Sequence, residues 1–286
     1  LLTLIKHKNL NKLNQFSTLV VTTNLLGLAF SFLKKIGLIK SRIVFIGMGL
    51  CDLLDNPVRK WSIRWLLKSV TTIVISKSEL NILNNIFGTN CDINYVPFGV
   101  DTHFWLTKKN HLEDKKYILS IGNDLNRDYK TLISSWKETF PCLKIITSLP
   151  VKLNNKKNIE LISGDWSNQL LSDTEMLDYI QNAMFVVIPI NPTFQPSGQS
   201  VCLQSMACSK AVIISSIDGI WDKKLLINNK TVELIPSQNS NYLSKKIEYF
   251  LANPDYVEEM GLNANKMLKT NFSIEIMADN LKKYIY

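Results

Sequence analysis

Two stretches of this chain carry the residue types that bind phosphate. The first, SGQS at residues 197–200, follows an apolar run and precedes a helical pattern. The first turn of a helix has unpaired backbone N–H groups that attract anions. Gly198 would let a phosphate approach the backbone closely, and Ser197 or Ser200 could cap the helix or contact the ligand. An ordinary capped helix without a ligand explains the same residues equally well.

The second stretch, SIGNDLNRDYKTLI at residues 120–133, leaves an apolar strand pattern at Gly122 and enters a helical pattern near Tyr129. Arg127 and Lys130 stand at the entry to that helix, where both could reach a diphosphate bound at the first stretch. Charge-assisted contacts of this kind contribute about 1.5–3 kcal/mol each. The alternative is a pair of solvated charges at a helix start.

The sequence does not contain the motifs of several other enzyme classes or of a metal site. The chain has no phosphate-binding loop of the NTPase type, no intact dinucleotide-binding glycine motif and no nucleophile elbow. Its three histidines are scattered, and its five cysteines form no C-x-x-C pair. This cysteine pattern favours reduced thiols over a disulfide framework and predicts no metal site.

The scaffold that must position these residues is a set of parallel strands. Short runs rich in Ile and Val alternate with helical patterns, which is typical of βαβ units. The strand candidates are residues 18–22, 42–46, 72–76, 93–97, 117–121, 143–147, 159–162, 185–190, 211–215 and 232–236. The helix candidates are residues 58–69, 79–87, 130–139, 174–182, 201–208, 242–251, 254–268 and 274–284. Ligands bind such sheets at the carboxyl ends of strands, where both phosphate-binding candidates fall.

A break in the pattern at residues 96–116 contains a proline, a glycine and a charged run. We interpret it as the linker between two α/β domains, which a chain of 286 residues can accommodate. Residues 13–33 carry no charge and are long enough to span a membrane, but polar residues interrupt them. A buried strand that runs into a core helix is the interpretation we favour.

The net charge of +9 comes almost wholly from lysine. A basic surface favours ligands that carry phosphate and membranes that carry anionic lipids, although a solvated lysine face is the simpler explanation. We do not interpret the charge as a sign of nucleic-acid binding. Residues 58–70 (VRKWSIRWLLKSV) combine Trp and aliphatic residues with four basic ones. That composition suits a helix at a membrane surface, or a core helix whose basic side chains extend to solvent.

The motifs together resemble the retaining nucleotide-sugar glycosyltransferases of family 4, which have the two-domain GT-B fold. YVPFGVDTHFW at residues 95–105 is similar to the segment that joins the two domains in that family. Residues 117–133 resemble its phosphate-binding motif, with Arg127 at or near the family's lysine and Asn123 where an arginine often stands. LQSMACSKAVIIS at residues 203–215 resembles the motif lEAMA.G.PVI.s, and the match continues through the final helix.

Three departures from the family pattern stand out. The family's pair of glutamates falls on Pro196 and Gln204, so one carboxylate is absent and the other is an amide. Ser209 and Lys210 stand where a glycine and a variable residue are usual. The first domain is short for a GT-B protein and the chain does not begin with Met, so we expect the first domain to be incomplete, without its first strands and acceptor loop.

The resemblance implies an α/β protein of two Rossmann-like domains. We predict an acceptor-side domain at residues 1–103, a nucleotide-sugar domain at 104–270, and a helix at 271–286 that returns to the first domain. The implied activity is metal-independent transfer of a hexose, with retention, from a nucleotide-sugar donor to a glycan or lipid-linked acceptor. The donor is a substrate, and no cofactor is expected. The implied location is the cytoplasm, with peripheral contact to the inner face of the membrane.

The predicted site has two parts. Arg127 and Lys130 are assigned to catalysis, because they would stabilise the charge of the leaving diphosphate. Gln204 is placed at the ribose, where its carbonyl can still accept a hydrogen bond. The full set of substrate-binding candidates is Gly122, Asn123, Gly164, Asp165, Gln195, Ser197, Gly198, Gln199, Ser200 and Gln204. The alternatives are an inactive GT-B binding or scaffold subunit and a nucleotide-sugar epimerase.

Overall fold

The computed structural model of the protein describes residues 7–106, 117–162 and 171–286. Two sheets organise this part of the chain, and their strands pair in parallel. The first sheet has the order β1-β2-β3-β4, with β1 Thr18–Val21, β2 Arg42–Gly47, β3 Thr71–Val74 and β4 Ile93–Tyr95. The second has the order β10-β9-β8-β5-β6-β7, with β5 Tyr117–Ile121, β6 Cys142–Ile146, β7 Ile159–Ile162, β8 Ala183–Ile188, β9 Val212–Ser216 and β10 Glu233–Pro236. The predicted α/β class with two parallel sheets is confirmed.

Helices occupy most of the crossovers between parallel strands, and others precede the first strand, join the two sheets or follow the last strand. They are α1 His7–Leu13, α2 Asn24–Lys35, α3 Pro57–Leu67, α4 Lys77–Phe87, α5 Thr102–Leu106, α6 Tyr129–Ser135, α7 Asp173–Asn182, α8 Gln199–Ala207, α9 Ser240–Ala252, α10 Pro254–Asn271 and α11 Ile274–Ile285. Two short 3-10 helices lie at Leu50–Leu53 and Gly88–Asn90. Side chains of Thr23, Asn56 and Ser76 accept first-turn N–H groups of α2, α3 and α4, so the sequence itself specifies where these helices begin.

The first sheet is covered on both faces. Side chains of α2, α3 and α4 pack on one face, against residues such as Ile43 and Phe45. On the other face, Met277, Leu281 and Tyr284 of α11 pack against the buried side chains of β2 and β3. The last helix of the chain therefore lies on the first sheet.

The crossing between the two sheets depends on close backbone contact. Val100 N donates to Phe272 O at 3.0 Å, and Ile274 N donates to Val100 O at 3.0 Å. A Cβ at Gly99 would lie 2.5 Å from Ser273 O, so a glycine is needed where the two segments meet. The domain boundaries at residues 103 and 270 stay predictions.

Strand positions agree with the sequence analysis within about two residues, and the differences have local causes. β8 ends at Ile188 instead of residue 190 because Pro189 has no N–H for the ladder. α6 ends at Ser135, four residues earlier than predicted, because Trp136 leaves the helix with ψ 123° and buries its indole beside Phe140. Residues 13–33 contain β1 and most of α2. No helix in the described part of the chain is long and apolar enough to cross a membrane.

Candidate functional site

The loops that follow β2 and β3 in the first sheet meet the loops that follow β8 and β9 in the second, and we call this meeting place the junction. Asp52 accepts hydrogen bonds from Thr193 Oγ1 at 3.0 Å and from Phe194 N at 3.2 Å. A Cβ at Gly49, whose φ is +70°, would lie 2.8 Å from Gln195 Cγ. The junction thus brings carboxyl ends of strands from both sheets together, where parallel sheets bind ligands.

The start of α8 has no side-chain cap. Its N-cap residue is Gly198 in the left-handed region (φ 78°, ψ −2°), and no side chain caps the helix. The alternative that Ser197 or Ser200 caps α8 is therefore wrong, because the residue at the N-cap has no side chain, and the alternative that they contact a ligand stays a prediction. A Cβ at Gly198 would lie 2.7 Å from Ile188 Cγ2, so the position has room only for glycine. The first-turn N–H groups remain free of a side-chain acceptor.

Arg127 lies beside this helix start, because its backbone is held against the end of β8. Residue 127 forms an antiparallel bridge with Ile190, and Asp128 N donates to Pro189 O at 3.0 Å. The guanidinium then packs over Gly122 at the end of β5, where a Cβ would lie 2.1 Å from Arg127 Nε. On its other side, a Cβ at Gly198 would lie 3.2 Å from Arg127 Nη1. Two glycines, one from each candidate stretch, therefore make room for one guanidinium.

The charge of Arg127 is buried and only partly compensated. The residue is 7% exposed, and its Nε lies 2.8 Å from Asp124 Oδ2. Its Nη1 has no hydrogen-bond partner among the described residues. Burial raises the pKa of the Cys202 thiol in α8, and the nearby positive charge of Arg127 opposes that rise. A buried donor without an acceptor is costly, so Nη1 is a candidate partner for an anionic ligand at the start of α8.

The loop before α8 is fixed by one side chain that the sequence analysis did not single out. Asn126 Nδ2 donates to Gln195 Oε1 at 2.9 Å and to Ser197 Oγ at 2.9 Å. Both acceptors are candidates for sugar contacts, and both are already engaged. Pro196 between them is buried. Asn126 directly precedes Arg127, and that adjacency was the signal available in the sequence.

The two glutamine candidates of α8 differ in what remains available. Gln199 Nε2 donates to Ile75 O of the first domain at 3.1 Å, while its Oε1 has no partner among the described residues. Gln204 is half-buried, and its buried Oε1 also has no partner in the described ranges. Each amide therefore keeps one acceptor atom without a partner, and the placement of Gln204 at a ribose stays a prediction.

The remaining candidates are less closely connected to this cluster. Asn123 is used structurally, since its Oδ1 accepts from Ser148 N at 2.6 Å and from Thr147 Oγ1 at 3.1 Å. Lys130 is exposed in the first turn of α6, and no hydrogen bond joins it to the other candidates in the described part of the chain. Gly164 and Asp165 lie outside the described residues.

Glu79 is a buried carboxylate that the sequence analysis missed. It is 0% exposed and accepts backbone N–H groups from Gly49 at 3.2 Å, from Cys51 at 3.4 Å and, at shorter distance, from Leu50. Burial raises its pKa to about 7, and the three backbone hydrogen bonds limit that rise. The spacing of Ser76 and Glu79 suits a capping box, but the carboxylate reaches across to the loop after β2 instead. Glu79 thus fixes the loop that contacts Gln195.

An ion pair also holds the junction. Lys77 Nζ lies 2.7 Å from Asp222 Oδ2, and the Asp222 side chain is 1% exposed. The neighbouring backbone adds two hydrogen bonds, from Lys77 N to Trp221 O at 2.8 Å and from Ser78 Oγ to Ile220 O at 2.6 Å. Neither residue of the ion pair belongs to a motif that could be read from the sequence.

No three His, Cys, Asp or Glu side chains gather to hold a metal in the ranges that the structure describes. The five cysteines are unbridged.

No protein-family model and no curated protein matches the chain by sequence. Sucrose-phosphate synthase from Thermosynechococcus elongatus matches its fold with a TM-score of 0.78 at 18% identity, over 94% of this chain and 73% of that one. HepE of Anabaena, solved with UDP and glucose, matches with a TM-score of 0.79 at 10% identity, over 96% and 79%. A TarM variant of S. aureus, solved with fondaparinux, alpha-GlcNAc-glycerol and UDP, matches with a TM-score of 0.68 at 16% identity, over 86% and 51%.

The chain has the GT-B fold. At these identities the likeness concerns the fold alone.

Proposed function

We propose that this protein is a glycosyltransferase of the family 4 type, which moves a sugar from a nucleoside diphosphate donor to an acceptor. The observation that carries the proposal is the buried guanidinium of Arg127 beside the uncapped start of α8. Arg127 Nη1 has no partner among the described residues, and a diphosphate would supply an acceptor for it beside the Asp124 carboxylate that already meets Nε. The GT-B fold of the chain supports this placement of the donor.

The proposed chemistry is transfer with retention and without a metal. The bond between the sugar and the diphosphate breaks while the acceptor hydroxyl attacks from the same face, and the leaving diphosphate takes up the hydroxyl proton. The protein then has to stabilise negative charge on the leaving group, which preorganised donors in a buried site do well. Arg127 and the N–H groups of α8 have that role in the proposal, and Lys130 extends it from the first turn of α6.

The donor's ribose and sugar would lie on opposite sides of this phosphate site. The free Oε1 of Gln204 suits the ribose diol, and the free Oε1 of Gln199 suits a sugar hydroxyl. Gln195 and Ser197 would contact the sugar while Asn126 holds them in place. We propose a hexose as the transferred group, since HepE has been solved with UDP-glucose.

The acceptor that we propose is a glycan or a lipid-linked glycan. TarM was solved with a glycan and with alpha-GlcNAc-glycerol, which shows that this fold accommodates such molecules in that protein. The proposed location is cytoplasmic, with peripheral contact to the inner face of the membrane.

Titration calorimetry with UDP, GDP and ADP tests the donor site. At least one of them should bind, and Arg127→Ala should weaken its binding about tenfold or more. Unchanged binding in this variant would refute the phosphate assignment. The matching sugar nucleotides, incubated with glycan and lipid-linked acceptors, then test transfer itself.

A binding or scaffold subunit without activity is the second candidate, and one observation favours it. The sugar end of the site has Pro196 in place of a carboxylate, and the acceptors of Gln195 and Ser197 already receive hydrogen bonds from Asn126. A protein that binds a nucleoside diphosphate but neither transfers nor hydrolyses any sugar nucleotide would be this second kind. Transfer to any acceptor would exclude it.

A further inference from the structure

The positive charge of the chain is concentrated in one part of the first domain. Residues 24–70 contain eight Lys or Arg against two Asp, Asp52 and Asp55. The whole chain has 33 basic and 24 acidic residues, so this segment supplies most of the excess. It comprises α2, β2, the 3-10 helix Leu50–Leu53 and α3. A surface with this charge attracts anions over a distance of about 10 Å at ordinary ionic strength.

Helix α3 exposes large apolar side chains along one side. Val58, Trp61 and Trp65 are 72%, 67% and 36% exposed, and their spacing of three and four residues places them in a row. The opposite side of the helix, with Ile63 and Leu67, packs into the core of the first domain. The helix therefore packs inward as a normal core element and still presents a second apolar row outward.

Helix α2 continues this outward surface. It packs beside α3, and Phe32 near its end and Ile36 just after it are 42% and 49% exposed. Lys35 of α2 places its ammonium 5.3 Å from the ring centre of Trp65. We call the outer surface formed by these five residues and the basic side chains of α3 the α2–α3 face. Exposed aromatic and aliphatic groups alternate on it with cations, a composition typical of membrane-surface helices.

A basic cavity lies at the amino edge of the first sheet, at the end of the α2–α3 face. It has a volume of about 380 Å³ and is lined by Lys34, Lys40, Arg42 and Lys68, with Asp92 as its one carboxylate. Lys34 Nζ donates to Lys40 O at 2.7 Å and to Ser41 O at 2.9 Å, so its charge is held in place. The other three cations form no ion pair with any described residue. The cavity is large enough for a phosphate-bearing headgroup.

We propose that the α2–α3 face is a docking surface for an anionic lipid bilayer and that the basic cavity takes the phosphate of one lipid headgroup. Val58, Trp61 and Trp65 would enter the interfacial region, while the Lys and Arg side chains beside them would pair with headgroup phosphates. This inference gives a surface to the peripheral membrane contact proposed above and rests on that part of the proposed function.

The charge on the face argues against two other occupants. A second copy of this chain would bring the same positive charge to the contact, and the two faces would repel each other. A nucleic acid would satisfy the cations but would leave Val58 and Trp61 exposed to water, whereas a bilayer covers both kinds of group. The observations therefore favour a membrane.

Docking in this orientation would place the junction at the membrane. α2 and α3 both begin at the carboxyl edge of the first sheet, where the junction lies, and end at the amino edge, where the cavity lies. Leu25, Met48 and Val58, at or near the start of these helices, are 79%, 45% and 72% exposed. A lipid-linked acceptor could then reach the junction while its tail stays in the bilayer.

Vesicle flotation tests the proposal with the whole protein. Vesicles of phosphatidylcholine are compared with vesicles that also contain phosphatidylglycerol, and only the anionic ones should retain the protein. Trp61→Ala should weaken retention of the protein on anionic vesicles. The pair Arg42→Ala/Lys68→Ala should also weaken it, by about fivefold for each of the two cations removed. The matched controls are Leu262→Ala and the pair Lys266→Ala/Lys269→Ala on α10, which should leave retention unchanged.

Two further measurements distinguish headgroup phosphate from free phosphate, and the membrane proposal from the proposed function. If the cavity is specific for headgroups, inorganic phosphate at millimolar concentration should not release the protein from vesicles. Equal retention of wild type and variants on anionic vesicles would overturn the proposal, as would tighter binding to single-stranded RNA than to vesicles. Binding of a nucleoside diphosphate, measured in the same variants, should be unchanged. Variants that lose flotation but still bind the nucleotide would show that the α2–α3 face acts in membrane binding and not in donor binding. A wild type that binds no nucleotide would count against the proposed function and not against the membrane surface.

Discussion

Gly122→Ala offers a sharp test of Arg127, because it changes the position of the guanidinium without removing its charge. The added Cβ would lie 2.1 Å from Arg127 Nε and 2.4 Å from Cζ. Ordinary contact needs about 3.4 Å or more, so the guanidinium has to move by roughly 1 Å or the side chain has to take another rotamer. Either change separates it from the start of α8.

The expected loss of affinity follows from the kind of contact that is broken. A charge-assisted hydrogen bond to a phosphate contributes about 1.5–3 kcal/mol, which corresponds to roughly 10- to 100-fold in Kd. We expect Gly122→Ala and Arg127→Ala to weaken binding of the same nucleoside diphosphate to a similar extent. Because both substitutions remove the same contact, the double variant should be hardly weaker than either single one.

The assay is titration calorimetry on the wild type, both single variants and the double variant, with thermal unfolding to show that each is folded. Gly37→Ala is the control, since φ at Gly37 is +79° and no atom lies within 4 Å of the added Cβ. It carries backbone strain without touching Arg127, and it should leave binding unchanged. Additive losses in the double variant would show that Gly122 acts independently of the guanidinium and would refute the reasoning.

Three further predictions concern stability and the junction. Glu79→Gln removes a carboxyl whose pKa in the folded protein, about 7, lies above its ordinary value of 4.5. A carboxyl with a raised pKa stabilises the fold fully below about pH 4.5, and this contribution is lost as the pH rises to about 7. In urea unfolding, the free energy of unfolding of the wild type should therefore fall by about 3 kcal/mol relative to that of the variant over this pH range. Gly261→Ala places a Cβ 2.1 Å from Ser209 O, and a drop of about 1–3 kcal/mol in the same assay is expected because backbone cannot easily move. Lys77→Ala leaves the buried Asp222 carboxylate unpaired, so Tm should fall by several degrees, whereas Lys266→Ala should leave it unchanged.

The positions of the strands could be predicted from the sequence, because a buried parallel strand is a short run of apolar residues. Ile and Val runs such as residues 117–121 read as strands without any knowledge of their neighbours, and β5 Tyr117–Ile121 has those bounds in the structure. The order of the strands was not predicted, and the return of the last helix to the first domain was expected only from the family resemblance. The early end of α6 could not be read, because it depends on where the Trp136 indole packs.

The proximity of Arg127 to the Gly198 segment was partly predictable, and the contacts around Gln195 were not. Arg127 and Gly198 were identified from residue type and from their place at strand ends, which are properties of a short segment. The roles of Asn126, Glu79 and Lys77 depend on residues 28 to 145 positions away, such as the pair of Lys77 with Asp222. Polar contacts between distant segments leave no periodic or compositional pattern in a single sequence.

These distant contacts change how the missing carboxylate of α8 should be understood. The family's first glutamate position is Pro196 here, but the loop around it is contacted from the first domain, by Asp52 at Thr193 and Phe194 and by the Gly49 segment at Gln195. Glu79 holds that Gly49 segment through three backbone N–H groups. A carboxylate of the first domain, Asp52, therefore contacts this loop, whereas α8 itself contains no carboxylate. Because this carboxylate reaches the loop only when the two domains are in contact, we propose that recognition of a sugar would depend on the junction, whereas the proposed binding of a diphosphate by Arg127 would depend on residues of the second domain alone.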